Sequence, residues 1–171
     1  DNPCAHYLPG FLEPIVSDLD HDGEEEILIY RTGAPPVLVV YRSDGSIFWA
    51  REVGSNLGGS PRPVLSDINN DGFDEILVYG PYYPDPKLFA FDHQGNPLGG
   101  NWPVRVNSGY WPSLTIADLD LDGEQEIIIQ GNDDSGTDRR RMEVLKGDGT
   151  KISRWELPSS EDFGSDISSP A

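Results

Sequence analysis

The chain has 171 residues, 36% of them hydrophobic and 25% charged, and its 30 acidic and 12 basic side chains give a formal net charge of −18. A surface this negative repels phosphate backbones and anionic lipid headgroups, which argues against nucleic acids and membrane surfaces as partners. The four tryptophans, seven tyrosines and six phenylalanines supply enough large side chains to exclude a disordered chain.

The first segment, residues 1–12, carries only a short apolar stretch, from which we predict an extended strand that could pair with a sheet edge. It lacks the basic and apolar regions of a signal peptide, and no run in the chain reaches the roughly 18 apolar residues of a membrane span. Because the sequence begins at Asp1, we expect either a processed chain or a segment. Cys4 is the single cysteine, so it is either a free thiol or bonded to another chain.

A nine-residue acidic motif occurs three times, and its copies begin at Asp18, Asp67 and Asp118. A period of about 50 residues is typical of solenoids, propellers and repeat arrays. We therefore divide the chain into three repeats, at about 13–60, 61–110 and 111–156, followed by a tail at 157–171.

Each repeat contains four short β-rich runs separated by Gly, Pro, Asn and Asp, and none shows a sustained helical period. We predict an all-β fold of three four-stranded antiparallel sheets. The second run of the first repeat, residues 27–30, is apolar at successive positions, which predicts burial on both of its faces. The fourth run carries a tryptophan that we expect to pack between neighbouring sheets: Trp49, Trp102 and Trp155.

The acidic motifs predict three calcium sites, because carboxylates at alternating positions can surround one ion with hard oxygens. We assign side-chain ligands at the first, third, fifth and ninth positions and a backbone carbonyl at the seventh. In the first loop these are Asp18, Asp20, Asp22, Glu26 and the carbonyl of Glu24. In the second they are Asp67, Asn69, Asp71, Glu75 and the carbonyl of Phe73. In the third they are Asp118, Asp120, Asp122, Glu126 and the carbonyl of Glu124.

Two details refine this prediction. Asn69 replaces one carboxylate, so we expect the middle site to bind calcium most weakly. A glycine follows the fifth position of each loop, where a sharp turn requires a positive φ angle: Gly23, Gly72 and Gly123.

The motif Asp-x-Asp-x-Asp-Gly-x-x-Glu, followed by an apolar strand and a hairpin, resembles the FG-GAP and VCBS repeats. These occur in integrin α-chain heads, in propeller lectins and in many secreted bacterial proteins. The resemblance covers about residues 13–156, and it implies propeller-type blades with a calcium loop between the first two strands. Closed propellers have about 4 to 8 blades, so three blades imply an incomplete propeller or an open array.

The ends of such an array need a cover, which predicts contact with copies of the chain or with further repeats of a longer one. The Ser/Pro/acidic tail could supply it, since Phe163 and Ile167 fall on one face of an extended strand. Four aromatic residues in loops could instead contact a ligand or partner: Tyr82, Tyr83, Tyr110 and Trp111.

The leading hypothesis from the sequence is a non-catalytic, extracellular or cell-surface, calcium-binding structural or adhesive module that assembles head to tail in a fibre or surface structure. A carbohydrate-binding lectin module and a propeller domain of a polysaccharide-active enzyme are the alternatives. Catalysis has little support, because the three histidines are scattered and no nucleophile and base arrangement can be recognised.

Overall fold

The computed structural model describes residues 13–31, 35–53, 62–80, 85–106, 113–132 and 140–156, without the side chains of 132, 140 and 154–156. These residues form three four-stranded antiparallel sheets in which each strand pairs with the next along the chain. The predicted all-β class and the four strands per repeat are confirmed. In the described ranges there is no helix long and apolar enough to cross a membrane.

The strand bounds follow the apolar runs of the sequence. Sheet 1 contains β1 (Ile15–Ser17), β2 (Glu26–Arg31), β3 (Val37–Tyr41) and β4 (Ile47–Glu52). Sheet 2 contains β5 (Val64–Ser66), β6 (Glu75–Tyr79), β7 (Lys87–Phe91) and β8 (Val104–Arg105). Sheet 3 contains β9 (Ser113–Ala117), β10 (Glu126–Asn132), β11 (Arg140–Lys146) and β12 (Lys151–Glu156).

The acidic loops and the turns between the third and fourth strands lie at the same end of the sheets. In sheet 1, Ser17 is paired with Glu26 across β1 and β2, so residues 18–25 close a hairpin. The next residue of β2, Ile27, is paired with Tyr41 at the end of β3. The register therefore places the residue after β3, Arg42, beside the acidic loop.

Two apolar cores form where consecutive sheets face each other. The first joins Leu28, Tyr30 and Val40 of sheet 1 to Ile76 and Val78 of sheet 2. Because side chains alternate between the faces of a strand, the neighbouring residues of β6 face the other way, into the second core. That core is built from both sheets 2 and 3, and its members include Leu77, Tyr79, Leu88, Ile127, Ile129 and Leu145.

Burial on both faces holds fully for the second strand of the middle sheet but only in part for β2. All five residues of β6 are buried. In β2, Leu28 and Tyr30 are buried, whereas Ile27 and Ile29 are half-buried, because they lie on the face of sheet 1 that points away from sheet 2. The apolar run 27–30 therefore matches the middle strand in sequence but not in environment.

Trp49 and Trp102 pack between sheets as predicted, and each also bonds to the next sheet. The indole Nε1 of Trp49 donates to the carbonyl of His93 at 2.9 Å, and that of Trp102 to the carbonyl of Gly147 at 3.0 Å. Both side chains are buried in the cores.

Trp155 does not occupy the equivalent place, which corrects the predicted threefold match. Trp49 is paired with Val40, and the corresponding partner of Val144 in sheet 3 is Ser153. Trp155 lies two residues further along β12, opposite Met142. The two hairpins carry a bulge at the same place, and the difference lies in the chain after the turn, since Trp49 follows Gly45 by four residues and Trp155 follows Gly149 by six.

Candidate metal centre

The first aspartate of each loop holds the loop backbone closed. Its carboxylate accepts hydrogen bonds from the N–H groups of the fifth residue and of the following glycine, as Asp18 does from Asp22 at 3.1 Å and from Gly23 at 3.0 Å. The same pair of bonds recurs at Asp67 and at Asp118 with lengths of 3.0 to 3.2 Å. Three sequence repeats therefore fold into the same local structure.

The predicted positive φ angles are present, and the fourth position adds three more. Gly23, Gly72 and Gly123 have φ of 90 to 92°. His21, Asn70 and Leu121 also lie in the left-handed region, with φ of 58 to 61°. Asparagine and histidine are enriched in that region by residue type and leucine is not, so at Leu121 the loop itself imposes the conformation.

Two of the three loops bring carboxylates together in a group that could hold a metal ion. The carboxylates of Asp18, Asp20 and Asp22 each offer an oxygen within 4.8 Å of the others. Asp120, Asp118 and Asp122 form the equivalent triplet in the third loop. Like charges at this separation repel, so a cation would stabilise the cluster.

The ninth-position glutamate is buried in all three loops, at 1% exposure for Glu26, 0% for Glu75 and 3% for Glu126. One carboxylate oxygen of each accepts a hydrogen bond from the backbone N–H of the loop's second residue, at 2.9 to 3.1 Å. This bond explains why glutamate stands at the start of the second strand, since it ties the strand back to the beginning of the loop.

The other oxygen of Glu26 lacks such a partner. Glu26 Oε1 and Asp20 Oδ1 are both buried and accept no hydrogen bond. Buried carboxylate oxygens in native proteins are nearly always paired with a donor or a cation. Two buried oxygens without a hydrogen bond, one within the aspartate triplet and one next to it, are what an oxygen-binding cation would satisfy.

Burial and crowding change the acidity of these glutamates. Desolvation raises the pKa of Glu26, and the neighbouring charges of Asp20 and Asp22 raise it further. Desolvation likewise raises the pKa of Glu75 to about 7, with added contributions from Asp71 and Asp67. A cation at either position would offset the repulsion.

The middle loop differs because the amide of Asn69 already occupies its interior. Asn69 Nδ2 donates to Asp71 Oδ2 at 3.0 Å and to Glu75 Oε1 at 2.9 Å. The amide thus satisfies the oxygens that an ion would need, and it would have to turn its own oxygen inward to act as a ligand. This contact favours the predicted weaker binding by the middle loop.

At the seventh position, two side chains contact the turn that follows the third strand of their own sheet. Glu24 Oε2 accepts a hydrogen bond from Ser43 Oγ at 2.8 Å. Glu124 Oε2 accepts one from Lys146 Nζ at 3.3 Å, and this contact raises the pKa of Lys146. The side chains of these two residues therefore belong to the loop–turn contact, and the carbonyls remain the predicted ligands.

Arg42, the residue that follows β3, also contacts the first loop, although the acidic motif gave no indication of this. Arg42 Nη1 lies 3.6 Å from Asp20 Oδ2, 3.6 Å from Asp22 Oδ2 and 3.8 Å from Glu26 Oε1. The corresponding residues of the other sheets are Asp92 and Lys146, which begin equivalent turns. The pairing of β2 with β3 places Arg42 beside the loop, and this pairing cannot be derived from the acidic motif alone.

The first and second loops are joined by a stack of three rings. The ring of Phe73 lies between those of His21 and His93, with centroid distances of 4.7 Å and 4.1 Å and interplanar angles of 21°. Sheets 2 and 3 carry Asn70, Glu124 and Gly147 at the equivalent positions. A cavity of about 560 Å³ lies there, and its lining includes these three residues together with Trp102 and Lys146.

The other predicted contacts lie outside the described residues. These are the N-terminal segment 1–12, the tail 157–171 and the six aromatic and apolar residues proposed to meet a ligand or partner: Tyr82, Tyr83, Tyr110, Trp111, Phe163 and Ile167.

The comparisons with known proteins add no identification to this geometry. No family model matches the sequence, and no curated protein matches it either.

Proposed function

We propose that the chain is a non-catalytic, calcium-binding β-repeat module with a structural or adhesive role. The observation that carries this proposal is the first loop, where an aspartate triplet and Glu26 together present two buried carboxylate oxygens that accept no hydrogen bond. The ligand set contains oxygen atoms alone and can supply more than four of them, which suits calcium better than zinc or magnesium.

The place of the ligands favours a structural role for the ion. Asp18, Asp20 and Asp22 precede the second strand, and Glu26 begins it. An ion bound by all four would close the β1–β2 hairpin and neutralise charges that otherwise repel each other. Metal binding that requires the folded loop adds its free energy to the stability of the fold.

An extracellular or cell-surface location follows from the same proposal. Calcium-binding modules outside the cell work at dissociation constants of about 10⁻⁴ to 10⁻³ M, which a partly exposed loop such as this one can reach. The resemblance to repeats of secreted proteins favours the same location, and so does the large net negative charge, which bound calcium would reduce.

The two end sheets carry faces that are built like the buried faces inside the stack. Leu19 and Ile68, the second residues of the first two loops, are 1% and 4% exposed because the next sheet covers them. Leu119 holds the same position in the third loop and is 54% exposed. At the other end, Ile27 and Ile29 are half-buried where their counterparts in sheets 2 and 3 are buried.

We therefore propose that further sheets of the same kind, in a second copy or in a longer chain, stack on these faces. Sheet 3 of one copy would meet sheet 1 of the next, as propeller-type blades do. An interface between the two different ends of a molecule leads to a ring or to an open fibre. Calcium would favour this contact, because copies with a charge of −18 otherwise repel each other.

Sedimentation velocity of the intact chain, in calcium and in chelator, tests the proposal. We expect oligomers in calcium that dissociate in chelator. Leu119→Glu should abolish them, because it places a charge on the exposed apolar face, whereas Gln94→Glu, at an exposed turn of sheet 2, should not. A calcium-saturated protein that stays monomeric at high concentration would contradict self-assembly.

A carbohydrate-binding role is the second candidate, and the cavity between sheets 2 and 3 is the observation that favours it. Its lining combines amide, carboxylate and ammonium groups with an indole, a set that could hold a small polyhydroxylated ligand. If this role is correct, a glycan array should show binding that Asn70→His with Glu124→Phe abolishes, since these rings would fill the space. Binding that persists in this variant would exclude the cavity.

A further inference from the structure

We infer that Arg42 is a tethered counter-cation that competes with the metal ion for the first loop and weakens its binding there. The inference rests on the proposed calcium binding and adds the residue that sets the affinity of one site relative to the others.

The first step is the position of the guanidinium. Arg42 Nη1 lies within 3.6 to 3.8 Å of oxygens from Asp20, Asp22 and Glu26, three of the proposed ligands. One of these atoms, Glu26 Oε1, is an oxygen that accepts no hydrogen bond. The positive charge of Arg42 therefore stands where it partly compensates the carboxylates that a metal ion would bind.

The second step is what holds the arginine in place. Its guanidinium carbon lies 4.0 Å above the centre of the Phe48 ring, a cation–π contact that restricts the side chain. Its backbone N–H donates to the carbonyl of Ser46 at 2.8 Å, so the turn fixes the Cα position. The ring contact restricts the side chain of Arg42 and the turn fixes its backbone, so its approach to the loop does not depend on a freely rotating surface side chain.

The third step is the comparison with the other two loops. Asp92, at the position of Arg42 in sheet 2, accepts hydrogen bonds from the backbone of Gln94 and Asn96 and so caps its own turn. Lys146, in sheet 3, pairs with Glu124 at the seventh position of its loop, and its interactions with the charges of Asp122 and Asp120 are weaker than that pair. Among the three described loops, the first is the one whose carboxylates at the third, fifth and ninth positions all face an arginine.

The energetic consequence follows from charge. A calcium ion among these oxygens would lie a few ångströms from the guanidinium, and the repulsion between charges of two and one at that distance in a water-like medium weakens binding about tenfold. In the metal-free protein the Arg42 charge has the opposite effect and stabilises the loop, because it then offsets the mutual repulsion of the carboxylates.

These opposite signs give the inference a signature that a merely structural residue lacks. Arg42→Gln should raise the calcium affinity of the first loop about tenfold and at the same time lower the melting temperature of the metal-free protein. A residue that only supports the loop would lower both. The acidic motif alone does not distinguish the two outer loops, whereas Arg42 makes the first one weaker than the third.

The three loop glycines offer a site-resolved measurement in the intact chain. The backbone N–H groups of Gly23, Gly72 and Gly123 each donate to the first aspartate of their own loop, so their amide signals report each site separately. The experiment is a chelator-buffered calcium titration followed by ¹H–¹⁵N NMR on wild type, Arg42→Gln and Arg105→Gln. The last variant removes the same charge beside Asp85, at the opposite end of sheet 2 from its loop.

We expect the Gly23 midpoint to fall about tenfold in Arg42→Gln, with the Gly72 and Gly123 midpoints within twofold of wild type and Arg105→Gln unchanged at all three. Arg42→Lys, which keeps the charge on a more flexible stem, should fall between wild type and Arg42→Gln. An unchanged or higher Gly23 midpoint in Arg42→Gln would overturn the inference and leave calcium binding intact. A Gly23 signal that calcium does not move in any variant would instead refute the proposed metal site itself.

Discussion

At the scale of single residues, the loops show which features follow from residue type and which require neighbours. The glycine after the fifth position and the spacing of the aspartates could be predicted, because both depend on local backbone geometry. The hydrogen bond from Leu19 N–H to Glu26 could not, since it joins the two ends of the loop. Nor could the position of Arg42, which reaches the loop across a strand pair.

The leucines at the second position give the sharpest residue-scale prediction. Leu19→Ala should destabilise the protein by about 2 to 5 kcal/mol, because it removes a fully buried side chain from the core between sheets 1 and 2. Leu119→Ala, the same change at the same loop position, should cost the isolated chain about 0.5 kcal/mol or less, since that side chain is half exposed.

Chemical denaturation of both variants measures this difference at low protein concentration and in excess calcium. Equal losses of stability would show that the packing between sheets 1 and 2 does not support the fold. A large loss for Leu119→Ala that appears at high protein concentration alone would instead reveal the contact between copies.

At the scale of strands and sheets, most of the architecture could be predicted. The three apolar runs after the acidic loops are the central strands β2, β6 and β10, and each lies between the strands expected beside it. The periodicity of the sequence was sufficient because antiparallel neighbours joined by short turns leave few alternatives. What the sequence could not supply was the environment of each sheet, since β2 and β6 have similar apolar runs but different burial.

The two contacts between sheets also differ in a way that residue patterns did not predict. Three rings fill the space between the first two loops, and an amide, a carboxylate and a glycine leave a cavity between the second and third. The fourth and seventh loop positions are not among the side chains proposed to bind metal. They can therefore vary between repeats without loss of the proposed metal ligands, as the different residues at these positions in the three loops show.

At the scale of the whole molecule, the large negative charge connects the proposed metal binding to the proposed assembly. Thirty carboxylates on 171 residues repel one another, and eleven of them stand at the proposed ligand positions of the three loops, where a cation would compensate their charge. Sheets 1 and 3 present faces of the kind that elsewhere form the cores. A sheet that is stabilised by the proposed metal ion and can pack against another sheet is suited to repeated stacking.

Calcium uptake by the intact protein distinguishes a metal-binding repeat protein from one that folds without ions. Isothermal titration calorimetry of chelator-treated protein should show up to three ions bound per chain, with the middle loop weakest and magnesium unable to compete at equal concentration. Asp20→Asn, which gives the first loop the asparagine that the middle loop carries at this position, should weaken the first of these sites towards the affinity of the middle one, whereas Asp44→Asn, which removes the same charge from a turn of the same sheet, should leave it unchanged. Titration without binding heat, together with identical melting curves in calcium and in chelator, would contradict the account.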